Sequence, residues 1–333
     1  MNKKILVITD NTPQQINGVV TTFSHIEKYA RLNGYWYYSI DPTHFVSYSA
    51  PGYPEVRLSI PKDIGKHIEN INPDFIHIAT EGPVGLAARM WLDRKGYKYN
   101  TSYHTKFPEF LNKLYYVPEG LTYAYLRWFH KHSGKVLVNT DTMARELREH
   151  KFKQNLVTWT RGANPLLFNP HWRLRSSDKK ILLSVGRVSK EKNLDAFCSL
   201  NIPNTIKILV GDGPYLNTLK EKYPDVQFVG MKIGDELAQH YANADVFVFS
   251  SKADTFGIVM IESISCGTPI AGYPVPGPID IVQPSRNGYL SENLEEAVKK
   301  CLDLDREVVY NSSKKWTWQN CWKIFEDNLI PIR

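Results

Sequence analysis

The sequence predicts an α/β protein with two doubly wound domains in tandem that face each other across a cleft. Short apolar, β-rich runs alternate with helical stretches along all 333 residues, which is typical of parallel sheets. A segment rich in glycine, proline and asparagine at 162–170 divides this series into two halves. The length also fits two domains of roughly 150 residues each. Ligands of such sheets bind at the carboxyl ends of the strands, so we expect them in the cleft.

Apolar runs define the predicted strands in both halves of the chain. They lie at 4–9, 35–40, 75–79, 97–103, 135–139, 156–160, 181–185, 205–210, 226–229, 245–250 and 268–271. We predict a first domain over 1–165, a linker over 166–178 and a second domain over 179–310. Residues 311–333 carry several tryptophans, which seldom stay exposed. This segment is therefore predicted to be a helix that packs back on the first domain.

Composition excludes several classes of protein. Hydrophobic residues make up 42% and charged residues 23%, as in ordinary globular proteins. No apolar run approaches the roughly 20 residues of a membrane-spanning helix, and the run at 5–9 is too short for a signal peptide. The four cysteines form no CxxC pair, which favours free thiols in a cytoplasmic protein over a disulfide or zinc framework.

The net charge of +7 lies in the first half. Residues 1–165 contain 21 basic and 14 acidic residues, whereas residues 166–333 contain 20 of each. Such asymmetry suggests contact with phospholipid head groups, nucleic acid or an anionic substrate, although a basic surface without a function has the same composition. Residues 106–135 are basic and aromatic, which fits either an amphipathic segment in a membrane interface or a buried helix pair.

Two carboxylates stand out in the segment 250–269. Asp254 precedes a helix that is apolar nearly all round, and Glu262 lies inside that helix. A buried carboxylate needs hydrogen-bond partners, which the hydroxyls of a sugar or ribose could supply. The free N–H groups at the helix start suit a phosphate. In the structural alternative, Asp254 caps the helix and Glu262 pairs with a buried Arg or Lys.

Two cations follow the first strand of the second half. Arg187 and Lys192 lie in the loop after residues 181–185, where they could stabilise a diphosphate leaving group or simply be solvated. The nearby Gly211-Asp-Gly213 lacks the third glycine of a dinucleotide fingerprint, because Leu216 occupies that position. We interpret it as a tight turn, and an NAD-dependent dehydrogenase is disfavoured.

Polar residues at strand ends mark the first half as well. Glu81 and His104 each follow a predicted strand, and Lys106 lies close by. Gly18 permits close backbone approach at the first strand–helix junction. Asp303-Leu-Asp305 matches a metal-binding DxD pattern, but it lies between helices and is interpreted as a solvated pair. We therefore expect no metal and no cofactor.

Taken together, these motifs resemble glycosyltransferase family 4, retaining enzymes of the GT-B fold with two Rossmann-like domains. The resemblance covers the whole chain, and its motifs are most specific over 181–290. The matching segments are Asn17-Gly-Val, His104, Val185-Gly-Arg187 with Lys192, Val210-Gly-Asp-Gly-Pro214, Asp254-x7-Glu262 with Phe256-Gly257, and Cys266-Gly-Thr-Pro269. Pro274-Val-Pro-Gly-Pro278 resembles a bacterial and viral subgroup that synthesises glycolipids or glycans.

The resemblance implies a role for each matching residue. It implies that Arg187 and Lys192 bind the donor diphosphate and that Glu262 binds the ribose. Asp254 and the backbone of Phe256 and Gly257 would contact the sugar. His104 would lie near the transferred sugar, and Gly18 near the phosphates or the acceptor. Glu81, Lys106 and Arg161 are assigned to the acceptor side. The family usually has Glu where this chain has Asp254, and often Asp where it has Asn164, so donor identity stays open.

The resulting expectation is a retaining, metal-independent hexosyltransferase. It would move a hexose from a nucleoside-diphosphate sugar, UDP-glucose-like first and GDP-mannose second, to a lipid or glycan hydroxyl. A cytoplasmic location at the inner face of an anionic membrane would fit the basic first half. A nucleotide-sugar 2-epimerase of the same architecture is one alternative. A basic nucleic-acid-binding protein is the other, but the neutral second half disfavours nucleic acid as a partner.

Overall fold

The computed structural model describes residues 2–15, 17–50, 53–104, 106–174, 178–252, 254 and 256–333. The chain folds into two compact units. Unit 1 comprises Met1–Thr160 and Trp318–Arg333, and unit 2 comprises Arg161–Thr317. The fold class predicted from the sequence is confirmed, because each unit is an α/β domain around a parallel six-stranded sheet.

Unit 1 contains a parallel sheet in the order β2-β1-β5-β6-β7-β8 and a separate antiparallel hairpin, β3–β4. The strands are β1 Lys4–Ile8, β2 Trp36–Ile40, β3 Val46–Ala50, β4 Tyr53–Ile60, β5 Phe75–Ile78, β6 Asn100–Tyr103, β7 Val136–Val138 and β8 Leu156–Thr158. The six strands of the parallel sheet were predicted. The hairpin was not, although Val46-Ser-Tyr48 and Leu58-Ser-Ile60 carry the alternation typical of strands.

Seven helices accompany the strands of unit 1 among the described residues. They are α1 Gly18–Leu32, α2 Ile64–Ile71, α3 Pro83–Lys95, α4 Phe107–Tyr115, α5 Glu119–Phe129, α6 Asp141–Glu149 and α14 Trp318–Asp327. Helix α14 packs on α1, where the Trp318 ring stacks on the His25 ring at a centroid distance of 4.1 Å. The Trp159 Nε1–H also donates to the carbonyl of Cys321 at 2.9 Å. The predicted packing of a C-terminal helix on the first domain is thereby confirmed, but residues 311–317 of the predicted segment belong to unit 2.

The basic, aromatic segment 106–135 forms a helix pair. Helices α4 and α5 pack against each other, and α5 buries Thr122, Tyr123, Leu126 and Phe129. The hydroxyl of Tyr123 donates to Glu109 Oε1 at 2.9 Å, which links the two helices. Packing within unit 1 thus accounts for the buried aromatic residues of α5, whereas Tyr116 and Trp128 are exposed.

Unit 2 repeats the doubly wound plan, with strand order β11-β10-β9-β12-β13-β14. Its strands are β9 Lys180–Val185, β10 Thr205–Val210, β11 Gln227–Phe228, β12 Val246–Phe249, β13 Ile270–Gly272 and β14 Gly288–Leu290. Its helices are α7 Leu194–Cys198, α8 Leu216–Lys222, α9 Gly234–Asn243, α10 Ile258–Ser265, α11 Pro278–Ile281, α12 Leu294–Cys301 and α13 Arg306–Ser313. The chain winds outward from β9 in one direction and from β12 in the other. The topological switch point therefore lies between these two central strands, which is where open α/β sheets bind ligands.

The segment 166–174, within the predicted linker, packs inside unit 2. Phe168 is buried in the core of that unit, and the Trp172 Nε1–H donates to the carbonyl of Leu167 at 2.8 Å. Burial of the apolar Phe168 side chain is favourable, whereas an exposed linker would leave that side chain in water. Residues 175–177 of the predicted linker lie outside the described residues.

The four cysteines are all buried and free. Within the described residues, no helix combines the length and hydropathy that a bilayer span requires.

Candidate functional site

Two loops meet at the switch point of unit 2. Lys192 follows β9, Asp254 follows β12, and the Lys192 Nζ lies 2.6 Å from Asp254 Oδ1. Two hydrogen bonds hold these loops together: Asn193 Nδ2 donates to the carbonyl of Ser250 at 3.2 Å, and Ser250 Oγ donates to the carbonyl of Lys192 at 3.0 Å. The sequence thus brings a cation and a carboxylate from separate strands to one point.

Asp254 has one carboxylate oxygen in use and one available. Its Oδ2 is buried and has no hydrogen-bond partner among the described residues. An unpaired buried acceptor costs roughly 1–3 kcal/mol, so a donor supplied by a ligand would relieve that cost. The capping alternative does not hold, because α10 begins after Gly257 and has no side-chain cap.

Phe256 and Gly257 shape the start of α10. The Phe256 ring is 4% exposed and meets the Trp316 ring edge-on at 5.8 Å. Gly257 has φ +83°, and a Cβ there would lie 2.9 Å from Met260 Cε and 3.0 Å from Phe249 Cζ. The side chain of Phe256 is therefore part of the core, so any contribution of this pair to binding comes from the backbone.

Glu262 has a defined partner, the hydroxyl of Tyr241, which donates to Glu262 Oε2 at 3.0 Å. Burial raises the pKa of Glu262 to about 7, and the Tyr241 hydrogen bond opposes this shift. No Lys, Arg or His of the described chain forms an ion pair with it. The alternative of a buried cation as partner is therefore not observed, and Tyr241 was not anticipated.

The raised pKa of Glu262 predicts a pH dependence of stability. Its folded-state pKa of about 7 lies above the ordinary glutamate value of 4.5, so the folded state holds the proton more tightly. The stabilisation is complete below pH 4.5 and is lost as the pH rises through about 7. We expect Glu262→Gln to melt at a higher temperature than the unaltered protein above pH 7, because it avoids ionisation there. Melting curves of both proteins from pH 5 to pH 9 would show this, and parallel curves would contradict it.

Arg187 lies on an exposed turn built by glycines. The Val188 N–H donates to the carbonyl of Asp212 at 2.9 Å, and the Gly186 N–H donates to the carbonyl of Val210 at 3.0 Å. A Cβ on Gly211 would lie 1.9 Å from the carbonyl oxygen of Gly186. Residues 211–213 themselves form an irregular loop, and their glycines permit close packing of the β9 and β10 loops.

His104 and Gly18 lie near the carboxyl ends of strands in unit 1. His104 is 8% exposed, its Nδ1 lies 3.3 Å from Asn139 Oδ1, and Asn139 Nδ2 donates to its carbonyl at 3.2 Å. Gly18 is the first residue of α1, directly after Asn17, whose Oδ1 caps that helix. Both residues are held in place by the fold of unit 1.

The three residues assigned to the acceptor side lie in different settings. Glu81 Oε1 lies 3.3 Å from the Nε2 of the buried His130. Lys106 Nζ is bound by both carboxylate oxygens of Glu146, at 2.7 and 2.8 Å. Arg161 is 3% exposed and belongs to unit 2. Unit 1 thus places Glu81 beside His130 and Lys106 in an ion pair with Glu146, and Arg161 lies in the other unit.

Asp10 is a candidate that the sequence interpretation missed. It follows β1, and its carboxylate accepts hydrogen bonds from Thr80 Oγ1 at 2.7 Å and from the Val84 N–H at 2.7 Å, at the start of α3. Burial raises its pKa to about 6. The signal was present, because Asp10 follows a predicted strand as Glu81 and His104 do.

Among the described residues, no group of three or more His, Cys, Asp or Glu side chains is placed to hold a metal ion. Asp305 instead caps α13 by accepting from the Glu307 N–H at 2.8 Å. The DxD pair is thus explained by helix capping and by exposure of Asp303.

Comparison with known proteins agrees with this architecture. A family model described as "Glycosyltransferase Family 4" matches residues 18–165, and one described as "Glycosyl transferases group 1" matches residues 171–313. The two models correspond to the two halves of the chain. Fold and motifs therefore define a glycosyltransferase with the GT-B fold. The chain belongs to glycosyltransferase family 4.

Several relatives extend the match. A GDP-mannose-dependent alpha-mannosyltransferase of Corynebacterium glutamicum is 26% identical over 95% of this chain and 86% of its own length. The sulfoquinovosyl transferase SQD2 of Arabidopsis thaliana is 28% identical over 83% of this chain and 60% of its own length. An alpha-monoglucosyldiacylglycerol synthase of Streptococcus pneumoniae is 29% identical over 61% of this chain and 52% of its own length.

Solved structures share the fold at low sequence identity. A sucrose-phosphate synthase of Thermosynechococcus elongatus has a TM-score of 0.78 and 19% identity, with 98% of each chain covered. The Anabaena protein HepE in complex with UDP has a TM-score of 0.70 and 14% identity, also with 98% of each chain covered.

Proposed function

We propose that this protein transfers a hexose from a nucleoside-diphosphate sugar to a lipid or glycan hydroxyl with retention of anomeric configuration. The observation that carries the proposal is the switch point of unit 2, where Lys192 and Asp254 meet and Asp254 Oδ2 has no partner among the described residues. A cation for the diphosphate and a carboxylate for a sugar hydroxyl are what such a donor requires.

Each donor group has a matching residue in this proposal. Lys192 uses one of its three ammonium donors on Asp254 and keeps two for phosphate oxygens. Arg187, on its exposed turn, supplies the second cation. Asp254 Oδ2 accepts from a sugar hydroxyl, and the Glu262 carboxylate accepts from the ribose hydroxyls. The backbone of Phe256 and Gly257 completes the sugar contacts.

In the reaction, the bond between the anomeric carbon and the phosphate oxygen breaks, and its electron pair stays on the diphosphate. The acceptor oxygen bonds to the anomeric carbon on the same face, and its proton passes to the departing phosphate. Lys192 and Arg187 stabilise the charge that develops on that phosphate, which lowers the barrier more than it stabilises the bound donor. The family resemblance assigns His104 to the transferred sugar and Gly18 to the phosphates or the acceptor. No metal takes part in this scheme.

The donor base and sugar are proposed from two sources. The subgroup resemblance favours a UDP-glucose-like donor. Two relatives matched over 95% and 98% of this chain are named GDP-mannose-dependent enzymes, which supports GDP-mannose as the second donor to test. The name of the glucosyldiacylglycerol synthase supports a lipid acceptor. We further propose that the protein works in the cytoplasm, at an anionic membrane surface.

Thermal shifts with UDP, GDP, ADP and their sugars test the donor class. A ligand that binds only the folded state at 100 times its Kd stabilises it by about 2.7 kcal/mol, so the matching nucleotide should raise the melting temperature clearly above the others. Asp254→Asn should keep the shift with the free nucleotide and lose the additional shift with the sugar nucleotide. No shift with any nucleotide would contradict the proposal. Epimerised donor in the absence of acceptor would favour the epimerase.

A further inference from the structure

The β3–β4 hairpin of unit 1 exposes an apolar surface. Val46, Tyr48, Leu58 and Ile60 are between 44% and 65% exposed. Val46 pairs with Ile60 and Tyr48 with Leu58 across the two strands. Because directly opposed residues share a face and successive ones alternate, these four side chains form one surface, which we call the hairpin apolar face.

The other face of the hairpin is polar and turns inward. Ser47 pairs with Ser59, and Ser59 is only 7% exposed. The Arg57 guanidinium donates to the carbonyl of Ser47 at 3.0 Å and to Ser49 Oγ at 3.2 Å. An antiparallel pair on a protein core normally buries its apolar face and exposes its polar one. The reversed arrangement is typical of a surface that binds something apolar.

The hairpin lies at the edge of unit 1 that carries the candidate acceptor residues. It follows the carboxyl end of β2, where the Thr9 N–H donates to the carbonyl of Ile40 at 3.0 Å. Asp10 follows directly from β1 at the same edge. In a parallel sheet all carboxyl ends share this edge, which also carries His104 after β6. The hairpin therefore starts from the same edge of the sheet as these polar groups.

Basic residues lie beside the hairpin apolar face. Lys62 is exposed two residues after β4, and the Lys66 side chain is 75% exposed, with its Nζ 3.2 Å from Asp63 Oδ1. The His67 ring packs on the Phe45 ring at 5.3 Å, directly before β3. Residues 1–165 as a whole have an excess of seven positive charges. Apolar side chains beside basic ones complement an anionic bilayer, whereas a second copy would present the same sign of charge.

We propose that the hairpin apolar face inserts into the acyl region of an anionic phospholipid bilayer, with Lys62 and Lys66 at the level of the head groups. Bilayer binding itself follows from the hairpin alone. The consequence that a lipid acceptor is presented to unit 1 in this position rests on the proposed function.

Sedimentation with vesicles tests this proposal on the full chain. The vesicles are phosphatidylcholine with about 30% phosphatidylglycerol, compared with phosphatidylcholine alone. The double variant Tyr48→Ser/Leu58→Ser should bind the anionic vesicles roughly tenfold more weakly, since two apolar side chains no longer leave water. The matched control is Leu32→Ser, which is 70% exposed at the end of α1, on the opposite edge of the same sheet. We expect the control to bind as the unaltered protein does.

Two results would overturn the proposal. One is binding of the double variant to anionic vesicles as tight as that of the unaltered protein. The other is a dimer of the unaltered protein in light scattering that the double variant dissociates, because a second copy would then cover the face. Nucleotide thermal shifts distinguish a failure of bilayer binding from a failure of the proposed function. Unchanged shifts in both variants show that unit 2 is intact. The absence of any shift in the unaltered protein counts against the proposed function alone.

Discussion

Replacing Lys192 with alanine should lower turnover about 100-fold or more in an assay saturated with donor. The ammonium group is the cation held at the switch point of unit 2, 2.6 Å from Asp254 Oδ1. Its removal takes away charge stabilisation from the departing diphosphate and leaves the Asp254 carboxylate without its counter-ion. Both effects act on the transition state, so kcat should fall even when all enzyme has donor bound.

Lys190→Ala is the matched control for Lys192→Ala. Lys190 lies in the same short helical turn, 190–192, but its ammonium lies over the Tyr215 ring at 5.9 Å. We expect kcat to change by less than about threefold, as for removal of an exposed charge. Equal losses in both variants, or an unchanged rate for Lys192→Ala, would refute the role of Lys192 at the diphosphate. Melting temperatures of both variants show whether either change unfolds the protein.

Gly211→Ala should destabilise unit 2 by about 2–4 kcal/mol and weaken nucleotide binding. Gly211 has φ +145°, and a Cβ there would lie 1.9 Å from the carbonyl oxygen of Gly186. That carbonyl belongs to the loop that carries Arg187, and backbone cannot move aside as a flexible side chain can. The new methyl group would therefore push apart the β9 and β10 loops. Urea unfolding of the variant measures the loss of stability, and the UDP or GDP thermal shift measures the loss of binding.

Gly230→Ala separates backbone strain from steric clash. Gly230 also has a positive φ, +74°, but a Cβ there would meet no heavy atom within 4 Å. Only the conformational cost of about 1 kcal/mol is expected. A Gly211→Ala variant as stable as Gly230→Ala would show that the close approach to Gly186 does not matter.

Much of the fold could be predicted because each sheet is buried on both faces. Strands such as Val246–Phe249 are then continuous apolar runs, and the helices between them separate one run from the next. The hairpin at 46–60 has no continuous apolar run, because its apolar residues alternate with serine, and it was therefore not predicted. The division between units was harder to place, because unit 2 already begins at Arg161 and the segment after it packs into the core of that unit through Ala163 and Phe168.

The candidate site was predictable where strand ends carry polar residues, as at Lys192 and Asp254. Their partners were less accessible to sequence reasoning. Tyr241 lies on α9 and reaches Glu262 on α10, and Thr80 reaches Asp10 across 70 residues. Such contacts depend on tertiary packing of separate helices and loops, which periodicity does not encode. The ion pair of Lys106 could not be predicted for the same reason, since its partner Glu146 lies 40 residues away in the sequence.

Unit 1 is discontinuous in sequence, which affects how the chain can be made. The segment Trp318–Arg333 supplies Phe325 to the core of unit 1. It also supplies the Cys321 carbonyl, which accepts a hydrogen bond from the Trp159 indole. During translation, the aromatic side chains of residues 1–160 that this segment covers therefore stay uncovered until all of unit 2 has been synthesised. A stop codon just before Trp318 would expose the interior of the half that was synthesised first.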